Sequence, residues 1–443
     1  MAEALRVLQL YPKEDYFTGA AIQLRELAWG LRGRRHHVVI ATRPSRIWAE
    51  KTQEAGIPYY QLPMRSEVDP GSVVRLIRIV RAHRIQVVHA QKGKARTLAL
   101  LAGLFVRIPV LVLNRGVSFR LTRWNRLGYT TRRVTAIVAV SESIKRGLVR
   151  EGRVPAEKIE VIYSGTDMER FHPGVDGSQI RRELGLAPDQ FLITQIGIRS
   201  WRGNNELLDA MVAVSARAPG ARLLFVGARR PESLHEKARA LGLDGRVHVL
   251  AYREDIPEIL AASDCCVDAS YAGLGLTGSL REALAVETPV IATDIEANPE
   301  LVIHGETGLL VPPKNPGALA QAILQLMEDA VRAQEMARAG RKRVETAFST
   351  RVKVERTEAL YQRLLAARGN DRCSSAGSAG ATCSGGGLGG GRRGPLRRLG
   401  MPVRIAIDTG GTFTDLIVDD GSGAPQLYKA LTTPHDLPRG VFA

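Results

Sequence analysis

Cysteine is scarce in this chain. The four thiols, Cys265, Cys266, Cys373 and Cys383, are two neighbours in an apolar run and two members of low-complexity sequence. No ligand spacing repeats among them, which excludes a zinc ribbon and a disulfide framework and fits a reducing compartment. Aromatic residues make up only 5% of the chain, a poor supply for stacking on single-stranded nucleic acid. Acidic residues are outnumbered 45 to 62 by Lys and Arg, leaving a net charge of +17 that asks for an anionic partner: a nucleotide, a nucleic acid or a membrane surface. Long hydrophobic runs are missing as well. The longest, Leu98 to Leu113, is broken by Arg107 and Pro109 and falls short of the ~20 apolar residues of a spanning helix. The opening Met-Ala-Glu-Ala-Leu-Arg has no basic segment followed by an apolar stretch and runs straight into a strand-like run ending at Leu10. These absences lead to the expectation of a cytoplasmic protein, in peripheral contact with the anionic inner face of the cytoplasmic membrane and not bound to nucleic acid.

What is present reads as globular: 44% hydrophobic and 24% charged residues. At roughly 150 residues per domain, 443 residues hold two or three domains. Up to about residue 170, short β-branched runs (Val7 to Leu10, Val38 to Ala41, Val87 to Ala90) alternate with helix-patterned segments (Ala20 to Leu31, Trp48 to Ala55, Val73 to His83), the pattern of a parallel α/β sheet. A second series starts at Phe191 to Ile196 and continues through Leu223 to Val226, Val247 to Leu250, Cys265 to Val267 and Val290 to Thr293. The expected organisation is a first doubly wound domain over 1–172, a second over 173–345, and a helix over 346–368 returning to the first. Residues 369–400, rich in Gly, Ser and paired Arg, read as a disordered linker. Residues 401–443 form an incomplete terminal fragment.

Two segments of the second domain carry phosphate chemistry. Gly197-Ile-Arg-Ser-Trp-Arg-Gly203 follows a strand and opens a helix, placing Arg199 and Arg202 at the carboxyl edge of the sheet. There, guanidinium groups match a diphosphate and stabilise charge on a departing nucleoside diphosphate without a metal; a solvated basic loop is the plain alternative. Tyr271 to Ala285 is a glycine-rich loop entering an amphipathic helix. Its small residues Gly278 and Ser279 let a pyrophosphate approach free backbone N–H groups, with Glu282 one turn further in to accept ribose hydroxyls. Glycines that merely serve tight turns are the alternative here.

The run Glu282-Ala-Leu-Ala-Val-Glu-Thr-Pro-Val-Ile-Ala-Thr, with Asn298-Pro-Glu-Leu-Val and Gly305-Glu-Thr-Gly-Leu-Leu-Val-Pro-Pro, resembles the donor domain of group 1, family 4 glycosyltransferases. The resemblance extends through Arg253 to Asp264, Val140-Ser-Glu-Ser and Val161 to Pro173, and so over residues 5–366. It implies a GT-B fold, two Rossmann-like domains facing a cleft, with a nucleotide sugar on the second domain and the acceptor on the first. It further implies retaining transfer of a hexosyl-type sugar to a glycan or lipid-linked acceptor in lipopolysaccharide or cell-envelope polysaccharide synthesis, with no metal and no cofactor. By matching motif, Arg199, Arg202 and Glu282 become the catalytic set. The donor contacts become Gly19, Gly197, Gly227, Arg253, Ile256, Gly278, Ser279 and Leu280.

Some positions depart from the family pattern. Where its first motif glutamate would stand, this chain has Leu274 or, in the other register, Ala272; Glu287 replaces a glycine, and an acceptor-side His-Gly reads Asn114-Arg115-Gly116. Either the sugar contacts differ, or the protein binds a nucleotide sugar without turning it over. On the acceptor side, His89 and Arg115 are candidates, His89 being equally readable as a hydrogen-bonded core histidine. The basic set Lys92, Lys94, Arg96, Arg115, Arg120, Arg123, Arg126, Arg132 and Arg133 suits acidic glycans or anionic headgroups, or is simply a solvated surface. Finally, Arg404-Ile-Ala-Ile-Asp408, Thr409-Gly-Gly-Thr-Phe-Thr-Asp415, Leu431-Thr-Thr-Pro and Arg439-Gly-Val resemble the N-terminus of the hydantoinase A/5-oxoprolinase family. That family's catalytic body has no counterpart in this chain. Met401 is therefore read as the start of a neighbouring gene, joined by read-through or a frameshift.

Overall fold

The structure, a computed structural model, describes residues 4–118, 121, 123–228, 231–272, 275–377, 404–409, 413–419 and 426–431. Leu274, Arg120, Cys383, the Gly/Arg-rich stretch from 378 on, and Gly410 to Thr412 lie outside the described residues, as do the 432–443 motifs. The chain divides into two units, Met1–Cys373 and Ser374–Ala443.

The first unit holds two parallel sheets, each flanked by helices. Strands β1 Arg6–Tyr11, β2 His37–Thr42, β3 Tyr59–Gln61, β4 Val87–Gln91, β5 Val110–Arg115, β6 Ala136–Ala139 and β7 Ile159–Val161 form a sheet of order β3-β2-β1-β4-β5-β6-β7. The order reverses beside β1, so the chain leaves a crevice at the carboxyl edge there, where ligands bind in doubly wound sheets. Strands β8 Phe191–Ile196, β9 Ala221–Val226, β10 Val247–Leu250, β11 Cys265–Asp268, β12 Val290–Thr293 and β13 Leu309–Val311 form the second sheet, order β10-β9-β8-β11-β12-β13, reversing beside β8. The central strands are buried on both faces, the reason these runs are continuously apolar rather than alternating, whereas the edge strands β3 and β10 are largely not. One face of the first sheet packs on helices Pro70–Ala82 and Lys92–Phe105 through Leu76, Ile79, Leu98 and Ala102. Its other face packs on helix Gly19–Gly33 and on Val354, Leu360 and Tyr361 of helix Thr350–Gly377. That last helix therefore returns from the second sheet to the first, and its backbone stays helical to Gly377, beyond residue 368 where the sequence reading ended it. Between Gly369 and Gly377 no proline interrupts the helix, and weak formers such as Gly369 and Asn370 do not stop one already nucleated. In β11 the thiols of Cys265 and Cys266 are buried, and burial pushes both well above the ordinary value, so they are inert.

The chain passes between the two sheets twice, near residues 165 and 350, and the passages are tied together. Thr166 N–H donates to Phe348 O at 2.9 Å and Thr350 N–H to Thr166 O at 2.9 Å. A Cβ on Gly165 would lie 2.5 Å from Thr350 Cα, so only glycine permits this approach. The Gln23 side chain holds Gly165 from the first domain, donating to its O and accepting from its N, each at 2.8 Å. Gly165→Ala is expected to cost ~1–3 kcal/mol of stability through overpacking, read as a lower urea midpoint. An unchanged midpoint would show that the two passages are free to separate.

The second unit is described by three strands, β14 Arg404–Thr409, β15 Phe413–Asp419 and β16 Gln426–Leu431, in an antiparallel meander.

Candidate active site

The two phosphate-type segments of the second domain are brought side by side at the carboxyl edge of β8 and β11. Tyr271 links them: its N–H donates to Trp201 O at 3.0 Å and its hydroxyl to Ser200 O at 2.7 Å. Gly197 and Gly227 end β8 and β9 with φ of 86° and 89°, and a Cβ on Gly227 would be 3.7 Å from Gly197 Cα. Paired glycines in the left-handed region leave an open floor above the strand ends. Gly203, at φ 66°, caps helix Asn204–Arg217; its Cβ would fall 1.9 Å from Ala269 O, so no larger residue fits.

Arg199 and Arg202 have different surroundings. Arg199 is exposed, its Nη1 resting on its neighbour's carbonyl, Ile198 O, at 2.7 Å. Arg202 is 7% exposed and faces inward: Nε donates to Gly197 O at 3.0 Å, Nη2 to Ile196 O, and Nη1 to Asp268 Oδ2 at 3.0 Å. Asp268, at the end of β11, has no exposure at all. Its pairing with Arg202 gives that guanidinium a structural duty that motif spacing did not reveal, although an acid ending an apolar strand at a sheet edge was the available signal.

Helix Gly278–Ala285 begins at Thr277 with no side-chain cap, so its first N–H groups have no intrahelical partner and point out of the N-terminus. Thr277 Oγ1 and Ser279 Oγ are buried there without a hydrogen-bond partner among the described residues. Leu280 is fully buried and anchors the turn. Glu282 folds back beside this end, its Oε1 3.5 Å from where a Gly278 Cβ would be. Burial raises its carboxyl above the usual range, and the Arg281 guanidinium partly offsets this. An orphaned helix N-terminus flanked by two unpartnered hydroxyls is chemically a phosphate site.

The residues expected to border the base are tied by ion pairs. Arg253 pairs with Glu183, Nη1 to Oε1 at 2.6 Å, and with Asp255, Nε to Oδ1 at 2.8 Å. Its role in this state is to fix the loop that leads into helix Ile256–Ala262, with Ile256 at its first position.

On the first domain, Gly19 starts helix Gly19–Gly33 with no side-chain cap, and a Cβ there would meet nothing within 4 Å. Its N-terminus is open. The Asn114-Arg115-Gly116 loop reaches the glycine-rich loop of the other domain: a Cβ on Gly275 would be 2.6 Å from Gly116 O. Arg115 stands 6.0 Å from the Tyr129 ring centroid, over the same ring as Arg96 at 4.9 Å. The basic set is not uniformly free. Arg96 is buried and bonded to Asn125, and Lys94 Nζ donates to Met64 O at 3.0 Å. Burial pulls the Lys92 ammonium down to about 8.

His89 takes the core position, 2% exposed beneath the return helix, with Nδ1 2.6 Å from Tyr361 Oη. Burial, with the Lys353 charge adding, lowers its pKa to about 3. Folding thus keeps this imidazole neutral, while the unfolded chain protonates near 6.5. Its contribution is present above that pH and is lost as pH falls from 6.5 toward 3. Between pH near 7.5 and near 5 the expected loss is about 2 kcal/mol, measured by urea unfolding. His89→Gln should flatten this acid limb; an equally steep variant would refute the assignment.

The domains also meet through residues that sequence reading did not single out. Glu300 accepts from Glu142 N at 2.8 Å and Ser143 N at 2.7 Å, capping helix Glu142–Arg150 across the cleft, and Ser118 Oγ donates to Glu296 at 2.8 Å. Beneath the cleft, Lys353 Nζ donates to Gln23 Oε1 at 2.8 Å, and Thr350 Oγ1 donates to Glu26 at 3.0 Å.

Two parallel doubly wound domains, their carboxyl edges meeting over an orphaned helix N-terminus, define a GT-B fold. Residues 17–170 match the family model described as Glycosyltransferase Family 4, and residues 191–329 the one described as Glycosyl transferases group 1, about two thirds of the chain together. The chain belongs to the group 1, family 4 glycosyltransferases. Residues 404–443 match the Hydantoinase/oxoprolinase N-terminal region.

Among curated relatives, the lipopolysaccharide core biosynthesis mannosyltransferase LpsB of Rhizobium meliloti is 28% identical over 63% of this chain and 80% of its own. The UDP-Gal:alpha-D-GlcNAc-diphosphoundecaprenol alpha-1,3-galactosyltransferase of Escherichia coli is 25% identical over 66% of this chain and 79% of its own. Among solved structures, HepE of Anabaena in complex with UDP shares the fold with a TM-score of 0.71 and 23% identity, over 80% of this chain and 99% of that one. Among the described residues no helix is long and apolar enough to cross a membrane.

Proposed function

We propose that this chain transfers a sugar, with retention and without a metal, from a nucleoside-diphosphate donor to a glycan or lipid-linked acceptor in lipopolysaccharide or envelope-polysaccharide assembly. The observation that carries the reading is the orphaned N-terminus of helix Gly278–Ala285 with the unpartnered Thr277 and Ser279 hydroxyls. The pyrophosphate sits against these groups, Glu282 accepts the ribose hydroxyls, and the 253–256 loop borders the base. Arg199, the exposed guanidinium of the pair, meets the departing diphosphate, and Arg202 holds the Gly197 turn in place. The acceptor approaches from Gly19 and the Asn114–Gly116 loop. The names of the two relatives support the pathway and the lipid-linked acceptor, and the UDP of the related structure supports a nucleotide site.

A calorimetric screen of nucleoside-diphosphate sugars against the full chain tests this, followed by donor consumption with and without a chelator and NMR of the product anomer. Micromolar binding of one sugar nucleotide with chelator-insensitive turnover is expected. Binding that stays silent in every turnover assay would favour the second reading, a nucleotide-sugar-binding module. That reading rests on one observation: no carboxylate occupies Ala272 or Leu274, where the family has one.

A further inference from the structure

Beneath the carboxyl edge of the first sheet lies a cavity that the proposed function leaves unused. His89, Gln91, Asn114, Ser164 and Lys353 give it a polar side, and Val138 belongs to its apolar side. It holds about 30 Å³ of space for the centres of water molecules. One water needs ~10–15 Å³ of that measure, so about two fit, and a sugar or a phosphate does not. Several polar groups converge on this space without a partner. His89 is 2% exposed, and its Nε2 is buried with no hydrogen bond among the described residues. Its other nitrogen, Nδ1, is taken up by Tyr361 Oη at 2.6 Å, outside the cavity, so Nε2 is the ring edge that faces in. Tyr361 Oη accepts from Gln9 Nε2 at 3.5 Å, which sends its own hydrogen to Nδ1 and leaves the imidazole proton on Nε2. Gln91, 6% exposed, has no side-chain hydrogen bond among the described residues. The Lys353 ammonium places N–H groups on Gln23 O at 2.5 Å and Gln23 Oε1 at 2.8 Å, with its remaining N–H unplaced among the described residues.

We propose that this cavity is an internal hydration site, in which ordered waters accept from His89 Nε2–H and the Lys353 ammonium and bridge them to the Gln91 and Asn114 side chains. Buried polar groups in folded proteins are nearly always bonded, and a polar space of this size with convergent donors and acceptors is where water resides. An anion is the weaker occupant. The cations nearby, Lys353 and Arg281, face the carboxylates of Glu26 and Glu282, so no positive charge is left over. Sheet register explains why these groups gather. Gln91 pairs with Asn114 across β4 and β5, and His89 stands two residues back on the same face, under helix Gly19–Gly33. His89 thereby becomes a positioning residue, acting through water on Asn114, which leads into Gly116 and its close approach to Gly275. That last step rests on the acceptor-side role of the loop in the proposed function; the hydration site does not.

Relaxation dispersion of water oxygen, measured on the full chain, counts long-lived internal waters and tests the site. Val138→Ile adds a methylene to the cavity and keeps every polar group, so it is expected to lower the count by one or two. An equal count in the two proteins would overturn the proposal, as would xenon uptake into the unsubstituted cavity, the mark of a dry space. Nitrogen NMR of the histidine rings should find the His89 proton on Nε2. A proton on Nδ1 would remove the donor and, with it, the bridge. For the positioning step, His89→Phe should quicken amide exchange at residues 114–117 about fivefold, the equivalent of one hydrogen bond. His89→Gln, whose amide N–H reaches the place of Nε2, should restore the slow rate. Equal acceleration in both variants would trace the effect to the lost Tyr361 contact and refute the water bridge, and no acceleration in either would refute the positioning. Sugar-nucleotide affinity of Val138→Ile is expected to match that of the unsubstituted chain. Absence of affinity in the unsubstituted chain counts against the transferase reading, whereas normal affinity with an unchanged water count counts against the hydration site alone.

Discussion

Arg202→Ala is expected to lower the stability of the second domain by about 3–5 kcal/mol, enough to unfold much of it at moderate temperature. The reason lies in the partner left behind. Asp268 is wholly buried, and Arg202 Nη1 at 3.0 Å is its positive neighbour. Removing the guanidinium strands a carboxylate in the core and frees the Ile196 and Gly197 carbonyls that Arg202 satisfies. A double variant, Arg202→Met/Asp268→Asn, should recover part of the loss, because a neutral pair leaves no uncompensated charge. Urea midpoints for the two single variants and the double measure the coupling. Additive losses would mean that the pair does not act as a unit and that Arg202 is free to serve the ligand.

Arg199→Ala should behave in the opposite manner, reducing kcat for donor cleavage by about 10²–10³ while leaving the urea midpoint nearly unchanged. The side chain is exposed and contacts only its neighbour's carbonyl at 2.7 Å, so truncation removes no packing. In the proposed mechanism it removes a cation from the place where diphosphate charge develops, an interaction stronger in the transition state than in the ground state. Nucleotide affinity should therefore fall less than kcat, and Arg199→Lys should restore part of the rate. Equal losses in nucleotide affinity and in rate would make Arg199 a uniform binder and return the catalytic cation to Arg202.

The two arginines also mark where sequence reading ends. Both were visible as cations after a strand and before a helix, yet nothing in Gly197-Ile-Arg-Ser-Trp-Arg-Gly203 says which of them turns inward. That depends on Asp268, 66 residues later, meeting Arg202 across the β8–β11 pairing. His89 is similar. A histidine ending a strand reads as acceptor contact or core, and the choice came from Tyr361, on a helix that crosses back from the far end of the chain. The basic set between Lys92 and Arg133 was legible as charge but not as surface, because burial of Arg96 and the bonding of Lys94 to Met64 O are products of packing.

The strands themselves were legible to within a residue or two where they are long and β-branched, as in β1, β2, β4, β8 and β9. Short strands such as β3 and β13, three residues each, escaped notice because their pairing is decided by neighbours rather than by their own pattern.

By itself the sequence determined two parallel α/β domains, a glycine-rich loop opening a helix, and the family to which residues 17–329 belong. These are properties of local pattern: apolar period, turn chemistry and motif spacing act over a few residues and survive translation into structure directly. Tertiary structure alone decided which cation is buried and which is offered, that Gly165 and Thr350 meet where the domains join, and that His89, Gln91 and Lys353 line one cavity. Such outcomes depend on residues tens to hundreds of positions apart. The charge state and exposure of a side chain are set by whatever the fold brings against it.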